Sequence, residues 1–269
     1  MADDGLGDWR FEAIATIAED IPEAYPGGPS HKAGARLLLT TVTRNAKGEL
    51  VGFVTPSATA LALNIAITAA KKAQEVRPNV PYTSGPSPDG PVLSVPAGSS
   101  AALFDYFEHC MVSVTFSFQA LESFCNHSIN RNLTAPLKVK RRRGEEILSV
   151  EEIERKLSTE EKLGKVLPKI LGVPTPSGKA VWEKLVQLQK VRDATIHLKG
   201  FDQYPMGNME THSLFFQLLN HDPLEFPDAA IALINYFHED RAKPRWLSMT
   251  LMRWSDEMMR WGQMMRWGR

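Results

Sequence analysis

Apolar residues recur every three or four positions through the stretch SSAALFDYFEHCMVSVTFSFQALESFCNHSINRN, where Leu103, Phe107, Met111, Val114, Phe118, Leu121 and Phe124 or Cys125 fall on one stripe. At 3.6 residues per turn such positions share a face, so a long helix over about 99–130 is predicted. Its aromatic stripe reads as bundle core rather than as a cofactor box. The segment STEEKLGKVLPKILG repeats the pattern with Leu163, Val166, Leu167 and Ile170, and Ser158 followed by Glu161 makes a capping box at its start. In SGKAVWEKLVQLQKVRDATIHLKG the stripe is Val181 or Trp182, Leu185, Leu188, Val191, Thr195 and Leu198, with Gly200 placed to stop the helix. With SVEEIERKLS, SLFFQLLNH and PDAAIALINYFHED, these segments and their short or polar connections predict a helical bundle.

The pattern differs at both ends. RLLLTTVTRNAKGELVGFVTP holds two runs rich in Leu, Val, Thr and Phe around the turn-forming NAKGE, which predicts a hairpin. SATALALNIAITAAKKAQEV reads as a helix with Ser57 as its N-cap, and the Pro- and Gly-rich stretch after it as a linker or extended arm. The tail MTLMRWSDEMMRWGQMMRWGR repeats Met-Arg-Trp three times at near-helical spacing, which fits an amphipathic or packing element. The expected architecture is therefore mainly α: a helical bundle over 96–240, a small α/β unit and Pro-rich linker over 1–95, and the Met/Arg/Trp-rich tail over 241–269.

Composition narrows the partners little. Of 269 residues 43% are hydrophobic, and 31 basic side chains balance 31 acidic ones. Charge is uneven locally, because LKVKRRRG places Lys138, Lys140, Arg141, Arg142 and Arg143 within six residues. A solvated loop is the plain reading of such a run; a phosphate-contacting surface is the sharper one. Cys110 and Cys125 lie in one predicted helix, too far apart along it to pair. The N-terminus is acidic, without a basic leader or a long apolar run, and no transmembrane stretch is read anywhere, so the expectation is a cytoplasmic protein with no membrane partner.

Several chemistries can be set aside. GVPTPSGKA ends in the Gly-Lys of a phosphate loop but lacks the glycine five positions earlier, and Ala180 stands where a metal-binding hydroxyl belongs. The seven histidines show no metal-ligand spacing, so no metal or other cofactor is expected. What remains is Arg192-Asp193-(x3)-His197, an R-x4-H pattern. Sixteen arginines and seven histidines in this length give about 0.4 such matches by chance, so the pattern needs its helical context.

In that context, with FQALESFCN on the long helix ahead of LSTEEKLGKVLP and VRDATIHLKG, the chain resembles the HEPN (higher eukaryotes and prokaryotes nucleotide-binding) superfamily over about residues 99–240. Ribonucleases of that superfamily use R-x4-H. The resemblance implies a HEPN-like bundle that forms a homodimer, two motifs meeting in one cleft, and metal-independent cleavage of RNA, with Arg192, Asp193 and His197 as the matching residues. It also implies settings such as toxin-antitoxin and antiviral defence, with an antitoxin or defence protein as partner. Relatives with degraded motifs only bind nucleotide, RNA or a partner protein, and that alternative stays open.

Physical chemistry bears on the motif directly. Successive helical residues turn about 100°, so Asp193 and His197 lie about 40° apart and can touch, whereas Arg192 and His197 lie about 140° apart. One helix cannot aim both at the same atom; a cleft flanked by two such helices can. Histidine, which titrates near pH ~6.5 in free peptides, suits the removal of a ribose 2′-OH proton. Arginine suits the charge developing on phosphate oxygens, and Asp193 would orient the imidazole. Glu122 and Asn126, one turn apart on the long helix, are weaker supporting candidates facing the same groove, and Lys138, Lys140, Arg141, Arg142 and Arg143 are the candidate RNA contacts.

Overall fold

The computed structural model of the chain describes residues 8–12, 14–23, 25, 27–28, 30–86, 90–141, 144–203 and 213–267. Strands β1 (Ile14–Thr16), β2 (Arg36–Leu38), β3 (Thr40–Arg44) and β4 (Leu50–Val54) precede helix α1 (Ala58–Val76). Strands β5 (Thr83–Gly85) and β6 (Val92–Ser94) lead to the long α2 (Ala101–Asn132), followed by β7 (Leu137–Arg141) and β8 (Gly144–Leu148). The remainder is helical: α3 (Val150–Lys156), α4 (Thr159–Glu161), a π-helical turn (Lys162–Val166), α5 (Leu167–Leu171), α6 (Ala180–Ile196), α7 (Gly200–Gln203), α8 (Leu214–Asn220), α9 (Glu225–Tyr236) and α10 (Arg245–Trp267). The protein is thus mainly helical, and among the described residues every sheet is a two-stranded antiparallel pair.

The chain divides into two compact units, Met1–Leu61 with Ala242–Arg269, and Ala62–Arg241. This grouping differs from the boundaries at 95 and 240 drawn from composition. Proline content marks where the chain cannot be helical, not which unit it packs in. The Pro-rich stretch folds into the β5–β6 pair and belongs to the larger unit.

In the smaller unit, β3 and β4 pair in the register Thr40↔Val54 to Arg44↔Leu50 around the expected NAKGE turn, where Gly48 adopts φ +80°. A left-handed backbone at this position favours glycine. Ser57 caps α1 as its position predicts, its Oγ accepting from the Ala60 N–H at 3.3 Å. The Met-Arg-Trp tail is a single helix whose Trp246, Leu247 and Trp254 are buried. The Arg245 guanidinium lies 4.7 Å from the Phe11 ring centroid and donates to the Asp8 carbonyl at 3.1 Å. The packing role expected of this segment is met by its first half.

In the larger unit α2 is the central rod, packed against α6, α9 and α5, with α6 also against α9 and α8. Phe107, Val114, Phe118, Leu121, Phe124 and Cys125 are buried as the stripe predicts. Leu103 and Met111 are only half-buried, and Tyr106, Cys110, Ser113 and Ser117 complete the face instead. On α6 Leu185, Leu188, Val191 and Thr195 are buried, while Leu198 is exposed because the helix has already ended.

Residues 159–171 form one continuous helical stretch through α4, the π turn and α5. The predicted capping box is present at its start: Ser158 Oγ accepts from the Glu161 N–H at 3.2 Å and the Glu161 carboxylate accepts from the Ser158 N–H at 3.3 Å. The π turn widens the helix by one residue, which disturbs the regular bonding of its carbonyls. The Gly164 carbonyl finds the Thr175 hydroxyl at 2.8 Å. A side chain at Gly164 would stand 3.1 Å from the Trp182 ring, so glycine lets α6 approach closely here. Replacing Ser158 by alanine removes one of the two box bonds and is expected to cost about 1 kcal/mol, read from the urea midpoint. An unchanged midpoint would mean that the box adds nothing to this stretch.

Candidate functional site

Helix α6 carries the R-x4-H residues at its C-terminal end. Gly200 was expected to stop it, yet His197 is already the cap, with φ −116° and ψ 63° and its N–H donating to the Asp193 carbonyl at 2.9 Å. The cause lies downstream. The buried Asp202 carboxylate accepts from the Lys199 N–H at 2.9 Å and from the Leu214 N–H at 2.8 Å, which holds the chain in a turn before another helical turn can form. Gly200 begins α7 instead.

Arg192 is the most constrained of the three. Its guanidinium carbon sits 3.8 Å from the centroid of the Phe118 ring on α2, and Nη1 is 3.1 Å from Asp193 Oδ1. The side chain is 22% exposed, and Nε is buried without a hydrogen-bond partner among the described residues. Arg192 forms one wall of a cleft of about 420 Å³ whose other walls include Thr115, Phe118 and Glu122 of α2, Ser158, Thr159 and Ile196. Packing on an aromatic face and beside a carboxylate fixes an arginine that would otherwise sample many rotamers, leaving its fork of N–H groups oriented.

Asp193 and His197 depart from expectation. The Asp193 carboxylate pairs with its neighbour Arg192 rather than with the imidazole. His197 is exposed and is not part of the cleft wall. Helical geometry permits the Asp193–His197 contact, but the chain leaves the helix at His197 and the adjacent cation is the stronger attraction for the carboxylate.

The two supporting candidates separate as well. Glu122 faces the Arg192 cleft. Asn126 does not line it; its Oδ1 accepts from Lys162 Nζ at 2.9 Å. Lys162 is 1% exposed, and its ammonium also donates to the Glu154 carbonyl at 2.9 Å. This clamp ties α2 to the π turn. Periodicity gave Lys162 no role because only apolar residues are counted on that face, although Thr159, Lys162, Leu163 and Val166 share it and all are buried.

The basic run is a strand pair rather than a loop, with the register Leu137↔Leu148 to Arg141↔Gly144. Alternation explains it: Val139 and Leu148 are buried, while Lys138 and Lys140 stand exposed on the opposite parity. Arg141 ends β7, and Arg142 and Arg143 lie outside the described residues. Lys138 pairs with Glu145 at 2.5 Å.

Both cysteines are buried on α2, and burial pushes the Cys110 thiol up to about 12 and the Cys125 thiol up as well. A thiol must ionise to react, so iodoacetamide at pH 8 is expected to leave both unmodified in the folded protein and to label them in urea. Rapid labelling of either in native buffer would contradict this packing. Among the described residues no group of three or more His, Cys, Asp or Glu side chains is placed to hold a metal ion, and no helix is long and apolar enough to cross a membrane. Comparison with protein-family models, curated proteins and solved structures finds no match for this chain.

Proposed function

We propose that the protein is a metal-independent endoribonuclease of HEPN type, with Arg192 and His197 acting at a cleft between two copies of the chain. The observation that carries this reading is the placement of Arg192, whose guanidinium is held on the Phe118 ring in the wall of an open cleft. The exposed His197 at the end of the same helix is available to a second copy. In the reaction His197 of one chain takes the proton from the ribose 2′-OH, and the 2′-oxygen attacks the adjacent phosphorus. The bond to the 5′-oxygen breaks, that oxygen takes up a proton, and the products are a 2′,3′-cyclic phosphate and a 5′-OH. Arg192 of the other chain donates to the non-bridging oxygens as their charge grows. Glu122 helps orient Arg192 from across the cleft, and Asp193 holds it from beside.

A second reading is favoured by one contact. Because Asp193 pairs with Arg192 and not with His197, the motif also suits a HEPN-fold module that binds nucleotide, RNA or a partner protein without turnover. The experiment that separates the two is incubation of the purified protein with total RNA and a labelled single strand in EDTA, beside Arg192→Ala and His197→Ala. Cleavage that leaves cyclic-phosphate ends and disappears in both variants supports the enzyme. Retention of RNA without cleavage, unchanged in both variants, supports the binding module.

A further inference from the structure

A second polar surface lies on the larger unit, lined by none of the residues that line the Arg192 cleft. The β7–β8 pair and the helical stretch after α4 enclose a groove of about 620 Å³ whose walls carry Lys138, Lys140, Lys165 and Lys169 against the single carboxylate of Glu145. The sequence marks the first two as part of a basic run, but Lys165 and Lys169 lie more than twenty residues on, in a segment that reads only as an amphipathic helix. Lys169 Nζ donates to the Lys138 carbonyl at 2.9 Å, which fixes the strand pair against the helix and sets the walls of the groove.

We infer that this groove binds the phosphodiester backbone of single-stranded nucleic acid, without reading its sequence. The arrangement of charge points to that partner. Lys138 and Lys140 are two residues apart on a strand, about 7 Å, and Lys165 and Lys169 are one turn apart on a helix, with Cβ atoms about 6 Å apart. Regularly spaced cations on two rigid elements match a polymer whose charge repeats. Ammonium groups are point charges with no planar fork, so they grip phosphates without distinguishing bases. The pairs Lys138–Glu145 at 2.5 Å and Lys165–Glu161 at 3.4 Å are half-exposed ion pairs, weak enough to exchange for a phosphate.

Ser158 and Thr159, which line the Arg192 cleft, begin the same continuous helical stretch that carries Lys165 and Lys169, roughly 9–15 Å further along its axis. This inference names the surface that would hold RNA under the function proposed above, yet it stands or falls on binding alone.

The test uses a labelled oligothymidylate, which lacks the 2′-OH and cannot be cleaved by the proposed chemistry, so loss of binding and loss of cleavage are read separately. With the full chain, binding should weaken with salt at a log–log slope of about −2 to −3, at about −0.7 per phosphate contacted. Lys140→Gln with Lys165→Gln, which leaves the Lys169 tether in place, should make that slope shallower by about 1.4 and weaken binding at low salt. Lys47→Gln, at an exposed lysine on the β3–β4 turn that lines neither groove nor cleft, should leave both unchanged. Two results would overturn the inference: a slope that survives the double lysine variant, or no binding to the strand beside strong binding to phosphatidylserine vesicles or to polyglutamate.

Discussion

Replacing His197 by alanine is expected to slow RNA cleavage about 10²- to 10⁴-fold, the range that a positioned general base supplies. His197 is exposed and lies at a helix end, so the variant should unfold within about 0.5 kcal/mol of the parent, and the loss would be chemical rather than structural. Arg192→Ala should slow cleavage by about 10²- to 10³-fold, because it removes charge-assisted donors from the developing oxyanions. It should also destabilise the fold by about 1 kcal/mol through loss of the Phe118 stacking. Arg192→Lys separates the two effects. It keeps the charge and loses the planar fork, so it should retain the KM of the parent better than its kcat. Parent-level activity in the His197→Ala protein would remove the motif from the mechanism.

Lys162→Met is expected to cost about 2–4 kcal/mol of stability, more than any other single polar change considered above. The substitution keeps the apolar stem and deletes the ammonium, leaving Asn126 Oδ1 and the Glu154 carbonyl without the donor each bonds at 2.9 Å. An acceptor stranded in this way costs about 1–3 kcal/mol, with the lower figure appropriate to the half-buried Asn126. Pairing Lys162→Met with Asn126→Leu removes donor and one acceptor together, so the double variant should cost less than the sum of the singles. Denaturant unfolding of the four proteins measures this. The consequence reaches function, because Lys165, which lines the lysine groove, belongs to the π turn that this clamp holds. Lys162→Met should therefore weaken strand binding although Lys162 faces neither surface. Stability equal to the parent's would show that water replaces the ammonium and that the clamp does not set the position of the π turn.

How much of this was legible beforehand depends on the kind of signal. Burial on α2 and α6 follows from apolar spacing, which is why Phe118, Leu121, Leu185 and Val191 were readable as core. Caps were readable as well, since Ser57, Ser158 and Glu161 act through bonds to residues three positions away. Contacts set by tertiary packing were not. Nothing local says that Arg192 stacks on a ring more than seventy residues earlier, or that Asp202 bonds Lys199 and Leu214 and ends α6 early. The basic hairpin was misread as a loop because its charge masked the alternation of Val139 and Leu148 with Lys138 and Lys140. Lys162 shows a third limit: a lysine on an apolar face reads as exposed until its partners, the Asn126 amide and the Glu154 carbonyl, are brought to it by packing.

The central claim is that the active cleft is shared, since Arg192 and His197 on one α6 helix do not face a common point. Its most direct test is complementation between Arg192→Ala and His197→Ala proteins, each inactive alone, mixed and allowed to exchange subunits before an RNA cleavage assay in EDTA. A two-fold dimer predicts that mixed pairs rebuild one intact site from the Arg192 of one chain and the His197 of the other, restoring about a quarter of the parent's activity. A mixture that stays as inactive as its components, while light scattering or native mass spectrometry shows that mixed dimers have formed, would contradict the shared cleft.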